Sequence, residues 1–263
     1  MDCNCRTTEP SIVFFDIDGT LCRYEDAVTA GIRECFSLMH ERGHRLFICT
    51  GRSPADISQD ILSLGFDGMV AGMGAIVMVK NDVLRHTFIP HDMLVEDVQM
   101  LLDMKIPALI LGFEEVLRTP YMIPSMLETG VVESSADLFR KGRVVDISSF
   151  DIEFEDLESI RPFVDLISKH SELVVYNEHS GQSRIIGVDK ANGIDLILSL
   201  PEYKGMKSYS IGDSQNDIEM LKKTDIGIAM GDAPLEVVDA AAWQAPTVEQ
   251  DGVFHAMKYF GLV

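Results

Sequence analysis

The segment Phe15-Asp16-Ile17-Asp18-Gly19-Thr20-Leu21 sets two carboxylates two residues apart, directly after the apolar run at residues 11–15. Spacing alone says little, since Glu153/Glu155 and Asp156/Glu158 share it and read as a solvated face. Context separates Asp16 and Asp18. An apolar strand delivers them to its end, and Gly19-Thr20 lets the chain turn at once, so both acids project there. Paired carboxylates in such a place offer the hard oxygen ligands that Mg2+ prefers. One of them can also attack phosphorus as a nucleophile. Other polar groups follow apolar runs in the same way: Thr50-Gly51-Arg52 after residues 45–49, and Gly212-Asp213 with Asn216-Asp217 after residues 208–211.

These residues need elements that bring them together. Residues 11–15, 45–49, 208–211 and 225–230 read as strands, and residues 68–79 as further strand before a turn at 80–82. Between them, apolar residues at Val28, Ile32, Phe36 and Met39 recur with a helical period over residues 24–40, with Gly43 as a C-terminal cap. Ser53-Pro54 suits a helix start, residues 217–223 carry acids early and lysines late, and residues 231–234 open another helix. Alternating strands and helices imply an α/β fold, a doubly wound, mainly parallel sheet covered on both faces. Ligands of such sheets bind beyond the carboxyl ends of the strands, and Asp16, Thr50 and Asp213 all sit at such ends. The middle of the chain differs. Helices over residues 92–104 and 155–169, with strands over 108–111, 144–147, 173–176 and 184–188, form an α+β pattern with its own apolar faces. Residues 1–86 and 187–263 are therefore expected to form a core domain, and residues 87–186 an inserted domain.

The polar segments resemble, in order, the four motifs of the haloacid dehalogenase-like hydrolases. Asp16-Ile-Asp18-Gly-Thr-Leu resembles motif I, Cys49-Thr50-Gly51-Arg52 motif II, Lys190 motif III, and Gly212-Asp213-Ser-Gln-Asn216-Asp217 motif IV. The insert between motifs II and III resembles a type II cap, and Asp251-Gly-Val-Phe resembles the Cof-type branch, subclass IIB. The resemblance implies a Rossmann-like core with a cap, and Mg2+-dependent hydrolysis of a small phosphate ester through an aspartyl-phosphate. It implies Asp16 as nucleophile and metal ligand, Asp18 as general acid and base reaching the metal through its backbone carbonyl, and Asp213 as the third protein ligand. Thr50, the amide of Gly51 and Asn216 would hold phosphoryl oxygens, Lys190 would neutralise phosphate and nucleophile together, and Asp217 would orient a metal-bound water or Lys190. Arg52 is expected to reach the substrate. The family usually has Asn-Gly-Ala after the third strand, where this chain has Met73-Gly74-Ala75. The cap is expected to close over the site and set specificity, with Tyr121, Arg118, Glu178 and His179 as candidates. A phosphomutase would need a second phosphate site in the cap, for which Arg140, Lys141 and Arg143 are the nearest basic cluster. A non-catalytic phosphate-binding regulatory protein would be favoured by loss of a motif acid, and none is lost.

The 263 residues suffice for one large or two modest domains, and the composition, 46% hydrophobic and 24% charged, suits a globular protein. A net charge of −20 repels nucleic acid and anionic membranes. Positive charge for a phosphate substrate must then come from a metal and a few placed basic residues. No apolar run reaches the roughly 20 residues that span a bilayer, and residues 1–10 lack the apolar stretch of a secretory signal. Five cysteines, an odd count, read as free thiols of a cytoplasmic protein, a monomer or homodimer; Cys3 and Cys5 make a poor soft-metal site.

Overall fold

The computed structural model describes residues 9–23, 27–123, 129–140 and 142–263. Its larger sheet has eight strands in the order Trp243–Gln244, Ile226–Ala229, Ser208–Gly212, Ile12–Phe15, Arg45–Cys49, Gly68–Ala71, Ile76–Val79 and Asp82–His86. The strands pair in parallel as far as Gly68–Ala71, and the last two add antiparallel. The central strand explains the apolar run. Val13 and Phe15 face a cluster with Phe36 of the helix Ala30–Glu41 and Met257 of the helix Gly252–Tyr259. Ile12 and Phe14 face the other way, toward Ile194 of the helix Lys190–Leu198 and Met220 of the helix Ile218–Lys223. With both faces covered, every position must be apolar until the strand ends. Phe15 pairs in register with Ile211 on one side and Ile48 on the other, so three strands finish side by side.

The middle of the chain builds a second, six-stranded sheet, in the order Ser171–Asn177, Ser180–Ile185, Ile147–Glu153, Ala108–Gly112, Val116–Arg118 and Gly130–Val131. One face packs on the helices His91–Asp103 and Arg161–Ile167. Ile110, Phe150 and Ile152 join Leu94, Val98 and Phe163 in a core of their own. The opposite face is turned to the carboxyl ends of the first sheet.

Several elements differ from expectation for identifiable reasons. The strand expected over 144–147 runs instead from Ile147 to Glu153, with a register shift between Ile147 and Ser149. Its alternate residues are polar because they face a cavity rather than a core. The helix expected over 155–169 begins only at Arg161, where Pro162 occupies the first turn. Before it, Ser159 N–H donates to Asp156 Oδ1 at 2.8 Å and closes a local turn instead. Ser53-Pro54 opens a single 3₁₀ turn, Pro54–Asp56, before Ser58 caps a short helix, Gln59–Leu62. The strand expected over 68–79 is a hairpin broken at Gly72-Met73-Gly74, where Met73 takes φ 57°. That left-handed conformation suits Asn, the residue the family resemblance leads one to expect there, better than Met. Residues 24–26, where the first helix was expected to begin, lie outside the described residues, as do Cys3, Cys5 and Lys141. The described part of that helix is Ala30–Glu41, and Thr29 Oγ1 accepts from Ile32 N–H at its start. Cys35 and Cys49 are free thiols, and both they and Cys22 are buried. Among the described residues, no helix is long and apolar enough to cross a membrane.

Candidate active site

Three parallel strand ends and one helix start converge on a single point. Asp16 follows Phe15 and is 4% exposed; Thr50 follows Cys49; Asp213 follows Gly212. Lys190 is the first residue of its helix and Asp189 caps it, the carboxylate accepting from Asn192 N–H at 2.7 Å. The Lys190 side chain is almost fully buried. Its ammonium donates to Asp16 Oδ1 at 2.8 Å, Asn216 Oδ1 at 2.9 Å and Asp217 Oδ1 at 2.5 Å. All three ammonium donors are thereby used. Burial would push the Lys190 ammonium down, but Asp16 and Asp217 outweigh it and hold it well above the ordinary lysine range.

The remaining acids differ in their partners. The Asp217 carboxylate is satisfied, since its Oδ2 also accepts from the N–H groups of Asp213 and Ser214 at 3.0 Å each. Asp213 Oδ1 is buried without a hydrogen-bond partner among the described residues. Gly19 brings Asp213 close to motif I: at φ 74°, a Cβ there would lie 2.3 Å from Asp213 Oδ2. Burial pushes the Asp213 carboxyl up to about 7, with Asp217 adding and Lys190 opposing. Burial and then Asp217 also push Asp16 well above the carboxylate range, against Lys190. One ammonium therefore does not balance the acids gathered here. Oxygens of Asp16, Asp213 and Asp217 lie within 4.8 Å of one another. An orphaned carboxylate oxygen and a surplus of negative charge fit a hard divalent cation. Asp217 is the least suited to hold it, because its oxygens are already engaged.

The expected phosphate-binding residues surround the same point. Arg52 N–H donates to Thr50 Oγ1 at 3.1 Å, and Asn216 Oδ1 accepts from Lys190 and Ser214. That leaves the Asn216 amide nitrogen as its donor. Arg52, expected to reach the substrate, lines a cavity at this point and is engaged there with another side chain. It forks the Asp18 carboxylate, Nε to Oδ2 at 2.8 Å and a terminal nitrogen to Oδ1 at 2.6 Å. Both residues line the cavity.

That cavity measures about 840 Å3 and lies between the two sheets. Asp16, Asp18, Thr50, Gly51 and Asp213 form its floor, and Leu109, Leu111, Asp151, Tyr176 and Gln182 its roof. Gln182, 3% exposed, bridges the two, its amide nitrogen donating to Gly51 O at 2.8 Å and Ser149 Oγ at 3.1 Å. The four residues named as specificity candidates lie elsewhere. Tyr121 donates to Leu102 O, Arg118 to Met122 O, His179 contacts Glu155 O, and Glu178 is exposed; none lines the cavity. Glu153, read as a solvated acid, does line it. So do Arg23, Asp56, Asp151, Tyr176 and Gln182, which the sequence reading missed. The one signal for the roof was the alternation in Ile147–Glu153, legible once its register is known. Of the basic cluster a mutase might use, Arg140 pairs with Glu115 and Arg143 with Glu114, outside the cavity.

A family model for haloacid dehalogenase-like hydrolases matches residues 13–257. The chain belongs to that family. It is similar to YkrA of Bacillus subtilis, with 25% identity over 261 residues, covering 97% of this chain and 99% of that one. It is also similar to the 5-amino-6-(5-phospho-D-ribitylamino)uracil phosphatase YitU of the same organism, with 24% identity, covering 97% and 99%. Among solved structures, a subclass IIB sugar phosphatase of the haloacid dehalogenase superfamily matches with a TM-score of 0.78 and 25% identity, covering 96% of this chain and 100% of that one. The chain is an enzyme of this phosphoric monoester hydrolase type.

Proposed function

We propose that the chain hydrolyses a small phosphorylated metabolite, a sugar phosphate, nucleotide or cofactor phosphate, with Mg2+ and through an aspartyl-phosphate on Asp16. The observation that supports it best is the Lys190 ammonium bonded to Asp16 in the wall of the cavity, beside the unpartnered Asp213 Oδ1. In this reading Asp16 and Asp213, with the backbone carbonyl of Asp18, hold Mg2+. The ion supplies positive charge against the phosphoryl oxygens. Thr50, the Gly51 amide and Asn216 hold those oxygens while an Asp16 oxygen attacks phosphorus in line with the leaving oxygen. Lys190 neutralises the nucleophile and the phosphoryl group together. Asp18 gives its proton to the leaving oxygen, then takes one from the water that cleaves the acyl-phosphate bond. Arg52 orients the Asp18 carboxylate, and substrate entry must rearrange that fork.

Residues 87–186 act in this reading as a cap over a core of residues 1–86 and 187–263, and the protein works in the cytoplasm as a monomer or homodimer. YitU acts on a phosphorylated ribityl chain bearing a heterocycle, which makes polyol and cofactor phosphates the first esters to try. Sugar phosphates, nucleotides, pyridoxal phosphate and flavin mononucleotide should be screened with and without Mg2+. Turnover is expected only with Mg2+ or with an ion of similar preference such as Mn2+. Ca2+ should inhibit, because its looser coordination spoils the in-line geometry. Acid-quenched enzyme should carry a phosphoryl mass increment on the peptide containing Asp16. Full turnover in excess chelator would remove the metal from the reading. A mutase would return the phosphoryl group instead of accumulating free phosphate.

A further inference from the structure

The roof of the cavity has a charge pattern that the hydrolytic steps do not use. In the strand Ile147–Glu153, Phe150 and Ile152 are buried against the cap helices, so Asp151 and Glu153 face the cavity. Asp151 sits in register with Gln182 on one neighbouring strand and Leu109 on the other. Asp56, at the end of the 3₁₀ turn Pro54–Asp56, lines the cavity from the core side. Among the described residues, no ion pair reaches Asp56, Asp151 or Glu153. The cations nearby pair with other carboxylates: Arg23 with Asp232 and Glu249, Lys190 with Asp16 and Asp217, and Arg52 with Asp18, although Arg52 also donates to the Asp56 backbone carbonyl at 3.3 Å. Beside the acids, Leu109, Leu111 and Met122 form a separate apolar patch with Ala55.

The acids also feel one another. Burial pushes the Asp151 carboxyl up to about 7, with Asp56, Glu153 and Asp18 adding to it. Burial raises Asp56 to about 6, with Arg52 opposing and Asp18 adding. A second anion placed among them would meet like charge, whereas hydroxyl or amino hydrogens would meet ready acceptors.

We propose that this roof selects phosphate esters whose leaving group presents hydroxyl or amino donors next to an apolar surface, and rejects leaving groups that carry a second phosphate or a carboxylate. Asp151 of the roof and Asp56, facing it from the core side, are the specificity-determining residues. The inference rests on the phosphatase reading and adds the chemical class of the leaving group.

Matched substrates test it: glucose 6-phosphate against 6-phosphogluconate, and fructose 6-phosphate against fructose 1,6-bisphosphate. The ratio of kcat/KM within each pair is read on one preparation, so any loss of folded enzyme cancels. The parent should favour the member without the extra anion by about tenfold or more. Asp151→Asn should shrink that ratio several-fold, and the double variant with Asp56→Asn should shrink it further. Ratios near one in the parent, or ratios unmoved in both variants, would overturn the proposal. Acetyl phosphate separates the two levels. Its turnover without charge discrimination among the larger esters overturns the roof assignment alone. No turnover of any ester with Mg2+ overturns the phosphatase reading and this inference with it.

Discussion

The floor and the roof of the cavity are both acidic, yet they treat negative charge in opposite ways. On the floor, Asp16 and Asp217 are locked to the Lys190 ammonium, and Asp217 is bonded again by two backbone N–H groups. On the roof, Asp151 and Glu153 have no ion pair among the described residues. A floor that must hold a nucleophile in line needs fixed partners. A roof that must recognise a leaving group gains by leaving its acceptors for the ligand. The contrast makes the two faces respond differently to substitution, and the largest difference is expected at Lys190.

Lys190→Met should lower turnover by about a thousandfold or more. It should also destabilise the fold by about 3–5 kcal/mol, because it leaves buried carboxylates without their cation. Asp16→Asn should abolish turnover as well, but with stability unchanged or raised, since it removes a buried acid whose charged form burial disfavours. Steady-state kinetics and urea unfolding on both variants decide this. If Asp16→Asn unfolds as readily as Lys190→Met, the floor is not held by Lys190 as described.

Asp18 lies between the two faces, on the floor but half-exposed and forked by Arg52. Asp18→Asn should slow esters of poor leaving groups by roughly 10²–10⁴-fold. Nitrophenyl phosphate, whose leaving group needs no proton, should suffer much less. Equal losses on both kinds of ester would show that Asp18 is not the acid.

The same contrast decides what the sequence could reveal. Asp16, Thr50, Asp213 and Lys190 are each placed by a local signal, a buried strand ending in a polar residue or a helix starting at its cap. Four such signals, set side by side by parallel register, meet with little further information. The roof depends on long-range register. The register is irregular between Ile147 and Ser149, and the alternation Phe150-Asp151-Ile152-Glu153 tells which residues are wet only once the strand's bounds and neighbours are known. Tyr121, Arg118, Glu178 and His179 stand out by residue type alone, and type does not say which way a side chain points. Arg52 shows a further limit: its position was legible, while its partner, Asp18, lies 34 residues away in sequence.

A smaller effect concerns pH. The Asp151 carboxyl titrates near 7 in the folded protein and near 4 in an unfolded chain, roughly the ordinary aspartate value. Between those values the folded state keeps a proton that the unfolded chain has lost. The stability this group contributes is therefore full below about pH 4 and lost as the pH rises through about 7. Asp151→Asn should remove a fall in stability between about pH 4 and pH 7 of up to about 4 kcal/mol. Unfolding curves across that range, measured with and without Mg2+, would show it. An unchanged slope would mean that the roof acid already has a compensating partner.

The smallest effect tests a side chain that ties roof to floor. Tyr176 OH donates to Gln182 Oε1, which fixes the amide so that its nitrogen faces Gly51 O and Ser149 Oγ. Without that donor the amide can turn and present its oxygen to the Gly51 carbonyl, an acceptor facing an acceptor. Tyr176→Phe should therefore loosen the roof on the phosphate-binding loop at a stability loss of about 1 kcal/mol. Because the change acts on how the two faces meet, KM for an ester large enough to touch both should rise by about two- to fivefold, a loss of at most about 1 kcal/mol. The chemical step depends on Asp16, Asp18 and Lys190, so kcat should change little. Acetyl phosphate, too small to reach the roof, should keep its KM. If KM rises equally for acetyl phosphate and the large ester, Tyr176 and Gln182 shape the floor itself, and the division between a rigid floor and a ligand-reading roof has been drawn in the wrong place.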